Sequence, residues 1–351
     1  MPIILKNTAE YDKSGQPSMT DATPPFSTLT RRNFLHIGAQ AIVYTALGGL
    51  TACGPSQPLR IASEQWCGYQ FMFLAQQEGW LPKSGLELRE TGFASDSVAA
   101  LKQGQVDGAA LTLNEVLLLR DQGMPLSVVT VFDISAGADV VLAKPGISRL
   151  ADLKGQRIGV EATSLGVVML SKVLEAAGLQ RSDVTVINMD EDHLAAWNSA
   201  NMDAVLTYEP ALSRLQKQQG LVSLYDSRKL PLVIVDVLVV RPEAAERHAE
   251  ALRALIAGHF RALTQWRNNP IDTAYRLSAR LGIKADEVKS VFKGLDLPDA
   301  AYNRKYLTAP AIELTQSVQA ITRILTQEGL LKHPVNLDGL FVADYLPWDR
   351  P

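Results

Sequence analysis

Glu64, Asp133, Asp139, Glu161, Glu209 and Asp236 all fall at or near the ends of short apolar runs that read as strands, where few lysines or arginines stand. Carboxylates gathered at sheet ends favour a cation or a ligand rich in N–H donors. Trp66, Tyr69 and Tyr208 occupy similar positions and offer faces on which a flat ring or a cation stacks. Each acid taken singly also fits a plainer role, as a helix cap, an arginine partner or a solvent-facing charge. Asp236 is the most demanding, because it interrupts the otherwise apolar stretch from Leu232 to Val240. A carboxylate there is costly to bury unless it is paired or borders a wet cleft.

Thr163-Ser164-Leu165-Gly166 stands at an expected strand-to-helix junction and admits three readings. A nucleophile elbow would need glycine two residues before the serine, where this chain has Ala162, and a histidine base in a recognisable motif, which is missing. A helix N-cap needs only the hydroxyls. A polar-ligand site uses the same hydroxyls and the free N–H groups of the first turn. A cap that also binds fits best. Ser95, in Gly92-Phe93-Ala94-Ser95-Asp96-Ser97, is expected to act in the same way ahead of a helix over 98–103. No Cys-x-x-Cys or His-Glu-x-x-His spacing occurs, so no metal and no cofactor are expected. His259, on an apolar helical stripe, reads as a satisfied core histidine.

These groups need elements to hold them, and from Pro58 onward strands and helices alternate. Strands are expected over 59–62, 86–91, 126–132, 140–143, 157–160, 184–187 and within 232–240, with helices over 71–79, 167–177 and 192–200 and a helical tail from Pro242 to about Glu328. The stretch from Asn201 to Pro210 reads as a buried strand, Ala204 to Thr207, stopped at a Tyr208-Glu209-Pro210 corner. An earlier copy, Gln105 to Glu115, again sets an aspartate before a small apolar strand, a threonine, Asn114 and a helix-opening glutamate. Two such corners predict two similar lobes facing each other, with polar side chains at the carboxyl ends of strands where α/β sheets bind ligands.

The composition is globular, with 47% hydrophobic and 20% charged residues, and the formal net charge of −3 argues against nucleic acid as a partner. Residues 1–53 read as an export signal. Paired arginines, Arg31-Arg32, precede Phe34-Leu35, an apolar run from Ile37 to Leu50 is too short to span a bilayer, and Leu50-Thr51-Ala52-Cys53 closes the segment. The arginine pair resembles a twin-arginine signal, and the final four residues resemble a bacterial lipobox, which implies lipidation of Cys53. Cys67 is then the one remaining cysteine, with no partner for an intramolecular disulfide.

With these features laid out, the chain is similar to solute-binding lipoproteins of bacterial ABC importers, in the branch for nitrate, sulfonate or taurine and for thiamine-pyrimidine precursors. The resemblance is carried by Trp66-Cys67-Gly68-Tyr69, Gly104-Gln105-Val106-Asp107-Gly108-Ala109, the stretch from Asp133 to Asp139, the stretch from Asp152-Leu153-Lys154-Gly155 to Val160, and Met202-Asp203-Ala204-Val205 before Glu209-Pro210. It covers most of 58–330.

It implies an α/β fold of the two-lobed periplasmic-binding type II, with lobe one over 58–137 plus 236–351 and lobe two over 138–235. It implies ligand contacts at Trp66, Ser95, Asn114, Thr163, Ser164 and Glu209, to which the residues themselves add Tyr69, Asp133, Tyr208 and Asp236. The implied protein is a lipid-anchored monomer of the periplasm or cell envelope. It binds a small solute by cleft closure and delivers it to an ABC permease and its ATPase. The acids favour a nitrogenous heterocycle such as a thiamine precursor. A sulfonate, nitrate or taurine anion, and a ligand sensor feeding a membrane signalling protein, stand as alternatives. A fungal branch makes pyrimidine enzymatically with a cysteine cluster that this chain lacks, so binding without turnover is expected.

Overall fold

Among the residues described in the computed structural model, 57–189, 192–218 and 220–348, eleven strands form one sheet of six and one of five. The expected export segment, with Arg31, Arg32 and Cys53, lies outside the described residues. The first sheet begins with β1 (Leu59–Ser63), α1 (Gln70–Gln77), β2 (Leu86–Glu90), α2 (Ala94–Lys102), β3 (Gly108–Thr112), α3 (Leu113–Asp121) and β4 (Ser127–Ser135). The chain then crosses to β5 (Val140–Ala143), β6 (Arg157–Glu161), α4 (Ser164–Ala177), β7 (Thr185–Met189), α5 (His193–Ser199), β8 (Ala204–Thr207), α6 (Ala211–Gln216) and β9 (Val222–Asp226). It returns through β10 (Val235–Val240), α7 (Pro242–Arg247), α8 (Ala249–Asn268), α9 (Pro270–Leu281), α10 (Ala285–Val291), β11 (Leu295–Asp296), α11 (Ala300–Leu307) and α12 (Ile312–Gln327).

The first sheet runs β11-β4-β10-β3-β1-β2 and the second β7-β6-β8-β5-β9. In each, three parallel strands, β2-β1-β3 or β7-β6-β8, are followed by an antiparallel fourth, β10 or β5, that the chain lays down as it crosses between sheets. The crossing 136–139 joins β4 to β5, and the crossing 227–234 runs from the edge strand β9 back to β10 inside the first sheet. This is the two-lobed α/β architecture of periplasmic binding proteins.

The two halves share a local device. In the first, Asp107 accepts from the Arg60 backbone N at 2.9 Å, Nε at 2.9 Å and Nη2 at 2.8 Å. In the second, Asp203 accepts from the same three donors of Arg157 at 3.0, 2.9 and 2.9 Å. Each aspartate precedes β3 or β8 and grips the arginine of the parallel neighbour, β1 or β6, which fixes that neighbour's register. A bidentate carboxylate–guanidinium pair is strongly directional, so the recurrence of Asp-x-apolar-Thr in the sequence marks a structural clamp.

Local chemistry explains the helix ends. Thr163 Oγ1 accepts from the Gly166 N–H at the head of α4, and Gly178 ends that helix in the left-handed region at φ 68°. In α8, Leu252, Leu255, Ile256 and Leu263 are buried on one face, against α1. Two elements differ from expectation. Helix α2 begins at Ala94, where Asp96 Oδ2 in the serine/aspartate cluster accepts the Phe93 N–H and satisfies a free donor at the helix start. Strand β4 continues to Ser135, so Asp133 sits within a ladder and not in a loop.

Candidate functional site

The strand ends converge on a small cavity between the sheets. From the first half come Glu64 and Trp66 beyond β1, Ala94 at the head of α2, and Thr112 and Glu115 where β3 turns into α3. From the second come Glu161, Thr163 and Leu165 beyond β6, and Tyr208 beyond β8. Asp139 and Ile234 enter from the crossings, and Asp236 from the start of β10. A neighbouring small space shares Asp139, Glu161, Thr163, Leu165 and Tyr208 and adds His193 and Thr207.

Five carboxyl groups, Glu64, Glu115, Asp139, Glu161 and Asp236, border the larger cavity, and no lysine or arginine does. Crowding acids in a poorly hydrated space disfavours their charged forms. Burial, then the charges of Glu161 and Glu115, push Glu64 up to about 8. Burial raises Glu115 to about 7 against the opposing hydrogen bond from Ser164, and burial raises Asp139 to about 6. Asp236 is pushed well up by burial and then by Asp133. The Tyr208 hydroxyl donates to Glu161 Oε2 at 2.8 Å. Among the described residues no group of three or more His, Cys, Asp or Glu side chains is arranged to hold a metal ion. The acids are spread around the wall of the cavity.

Of the residues singled out in the sequence, Glu64, Trp66, Asp139, Glu161, Thr163, Tyr208 and Asp236 line the cavity. Trp66 and Tyr208 meet edge to face across it, with ring centroids 5.6 Å apart. Asp133 and Tyr69 lie behind the wall: Trp66 Nε1 donates to Asp133 Oδ2 at 3.0 Å, and the Tyr69 hydroxyl donates to Asp236. Ser164 is buried, and its Oγ reaches across to Glu115 Oε1 at 2.7 Å.

Three others stand apart from the cavity. Ser95 is exposed in the first turn of α2, a consequence of the early helix start. Asn114 is fully buried, with no hydrogen-bond partner for either amide atom. Glu209 accepts from Ser213 N at 3.1 Å and Ser213 Oγ at 2.7 Å, which turns it toward α6 and a separate groove.

Glu115 is the wall residue that sequence reasoning missed. It was legible only as a helix-opening acid, and its capping bonds to the Thr112 N–H and hydroxyl are real. The glutamate that follows the threonine at both corners, Glu115 three residues after Thr112 and Glu209 two after Thr207, was the available signal. His259 corrects another expectation: it sits in the core among Phe71, Phe132 and Phe260, but neither ring nitrogen has a hydrogen-bond partner, and burial lowers it to about 3. Cys67 is buried, its thiol pushed up by burial, with Sγ 3.8 Å from the Val291 carbonyl.

A family model described as NMT1/THI5 like matches residues 67–273. The taurine-binding periplasmic protein of Escherichia coli (strain K12) is 24% identical over 254 residues, covering 70% of this chain and 78% of that protein. The crystal structure of the periplasmic aliphatic sulphonate binding protein SsuA from Escherichia coli matches with a TM-score of 0.66 at 20% identity, over 81% of this chain and 97% of its own. The desulfurization enzyme DszB matches with a TM-score of 0.58 at 16% identity, over 82% of this chain and 97% of its own. These structural likenesses show the fold, and the fold carries both binding proteins and an enzyme.

Proposed function

The chain belongs to the NMT1/THI5-like family, and from that membership and the acidic cavity we propose that it is the solute-binding component of an ABC importer. In this reading it captures a small nitrogenous ligand, a cation or an aminopyrimidine-like donor, and delivers it to a membrane permease driven by an ATPase. The observation that carries the ligand class is the wall itself: five carboxyl groups, no lysine or arginine, and two aromatic rings meeting across the space. An anion in such a site would find no lysine or arginine to pair with, whereas a flat ring bearing N–H donors meets acceptors and π faces, and a cation draws the acids into their charged forms.

Capture works by closure. Ligand contacts come from both sheets, so they are complete only when the halves approach, and the closed state gains population in proportion to that differential affinity. We take the lobes as 58–137 with 236–351 and 138–235, hinged at the two crossings. Binding without turnover is supported by Ser164, whose hydroxyl is given to Glu115, and by His193, whose Nδ1 lies 3.1 Å from Thr207 Oγ1; the pair makes no nucleophile and base. Export through residues 1–53, with a lipid on Cys53 holding a monomer at the cell envelope, completes the proposal.

The names of the relatives favour a second reading, in which the ligand is a sulfonate such as taurine. Thermal unfolding of the purified protein against 4-aminopyrimidine, spermidine, taurine, ethanesulfonate and nitrate separates the two. A ligand at a hundred times its dissociation constant adds about 2.7 kcal/mol. Stabilisation by the aminopyrimidine or polyamine is the expected result; stabilisation by a sulfonate or nitrate alone overturns the cationic assignment and keeps the importer role.

A further inference from the structure

Asp133 and Asp236 occupy directly paired positions on the antiparallel strands β4 and β10, beside both crossings between the sheets. Asp236 borders the cavity, and Asp133 is fully buried one layer behind it. Every outside donor to the pair is accounted for. Tyr69 donates its hydroxyl to Asp236, and Trp66 donates Nε1 to Asp133 Oδ2 at 3.0 Å. Asp133 Oδ1 is left buried, with no donor from the protein, although the two carboxyls are within hydrogen-bonding reach of each other. Two carboxylates can share such a bond only when one carries a proton. Gly68 makes room for the arrangement, since a Cβ at that position would overlap Asp133 Oδ2.

We infer that the Asp133–Asp236 pair holds one shared proton in the ligand-free protein and gives it up when a cationic ligand reaches Asp236, so that capture is coupled to proton release. The coupling rests on the cationic reading of the cavity. The groups acting on the pair are Tyr69 and Cys67 from the turn before α1, Glu64 from the end of β1, and Asp139 from the crossing after β4. All are acids, so no neighbouring cation stands in for the proton. Burial raises both carboxyls, and the charge of Asp133 raises Asp236 further. The released proton passes to solvent as the cation takes over its role of neutralising one carboxylate. Asp133 is thus a positioning residue: it touches no ligand, but it orients the Trp66 ring and sets the charge of Asp236.

The test is calorimetry of the full-length protein with 4-amino-1-methylpyrimidinium, a permanent cation with no proton to release near neutral pH, in buffers of different ionisation enthalpy from pH 6 to pH 8. Each proton released on binding makes affinity rise about tenfold per pH unit. Asp133→Asn keeps an acceptor for Trp66 and leaves Asp236 ionised before ligand arrives. The expected result is about one fewer proton released, with a correspondingly flatter pH dependence. Tyr69→Phe removes a donor that favours ionised Asp236 and should move the release to higher pH. It decides the matter alone if the asparagine variant does not fold. Binding of the probe with the same proton count and slope in the wild type and the folded variants overturns the coupling and leaves the cationic cavity standing. Failure of the wild type to bind the probe, with stabilisation by sulfonate in the thermal panel, overturns both.

Discussion

Ser164 Oγ, at the head of α4 on the second sheet, donates to Glu115 Oε1, at the head of α3 on the first, across a gap of 2.7 Å. This bond spans the two halves and exists only while they are together. Removing a buried hydrogen-bond partner costs about 1–3 kcal/mol, so Ser164→Ala is expected to favour the open form and weaken ligand binding by about tenfold. Small-angle scattering of the ligand-free variant should give a larger radius of gyration than the wild type. An unchanged radius and affinity would show that the bond does not hold the halves closed.

The cavity acids set an unusual pH dependence. Their folded-state values lie above those of the unfolded chain, Glu64 at about 8, Glu115 at about 7 and Asp139 at about 6, each through burial first. A raised acid binds its proton in the folded state where the unfolded chain has lost it. Its contribution is full below about pH 4 and declines as pH rises toward the folded value. The ligand-free protein is therefore expected to lose several degrees of melting temperature between pH 5 and pH 8. With a permanent cation bound the acids are already ionised, and that decline should flatten. A melting temperature that rises through this window in the free protein would contradict the buried acids.

Much of this frame was legible in the sequence, because periodicity and punctuation report local structure directly. The strand from Ala204 to Thr207, the helix closing on Gly178 and the doubled aspartate motif all lie where their patterns place them. The resemblance to an NMT1/THI5-type family is matched by the family model. The site was harder, because facing is a long-range property. Glu209 and Tyr208 are adjacent in the chain, yet one turns to Ser213 and the other into the cavity. Ser95 is lost to the first turn of α2 by a capping bond from its neighbour Asp96. Glu115 is gained because α3 aims its first turn at the other sheet. β11 has only two residues, too few for a pattern, and β9, with no fully buried residue, lacks the continuous apolar run that marks β8.

That divergence makes Glu209 and Glu64 a matched pair for mutagenesis. Glu209→Ala removes a partner of the Ser213 N–H in α6 and should cost about 1 kcal/mol of stability, as loss of a helix cap does, with cation affinity changed less than about threefold. Glu64→Gln leaves the shape of the wall and removes a charge facing the ligand. Hydrogen bonds to charged groups contribute about 1.5–3 kcal/mol, so affinity should fall about tenfold or more. Equilibrium titration with spermidine or 4-aminopyrimidine measures both. The reverse order, with Glu209 dominant, would move the ligand to the groove beside α6.

The clamp that repeats between the halves predicts acid sensitivity of the opposite sign. Hydrogen bonds from the Arg157 side chain hold Asp203 below the usual aspartate range, and at Asp107 the effect of burial is outweighed by the same bonds from Arg60. A depressed acid contributes stability above its unfolded value, near 3.9, and loses it as pH falls through the lower folded value. Asp203→Asn should therefore cost about 1.5–3 kcal/mol at pH 7, because the Arg157 fork keeps its charge but loses its paired carboxylate. Once the pH falls below its lowered folded range the wild-type aspartate is itself protonated, and the two proteins should converge. Urea unfolding at pH 7 and at pH 2.5 gives the comparison. An equal difference at both values would mean that Asp203 acts through shape alone and that its charge has no part in fixing β6 against β8.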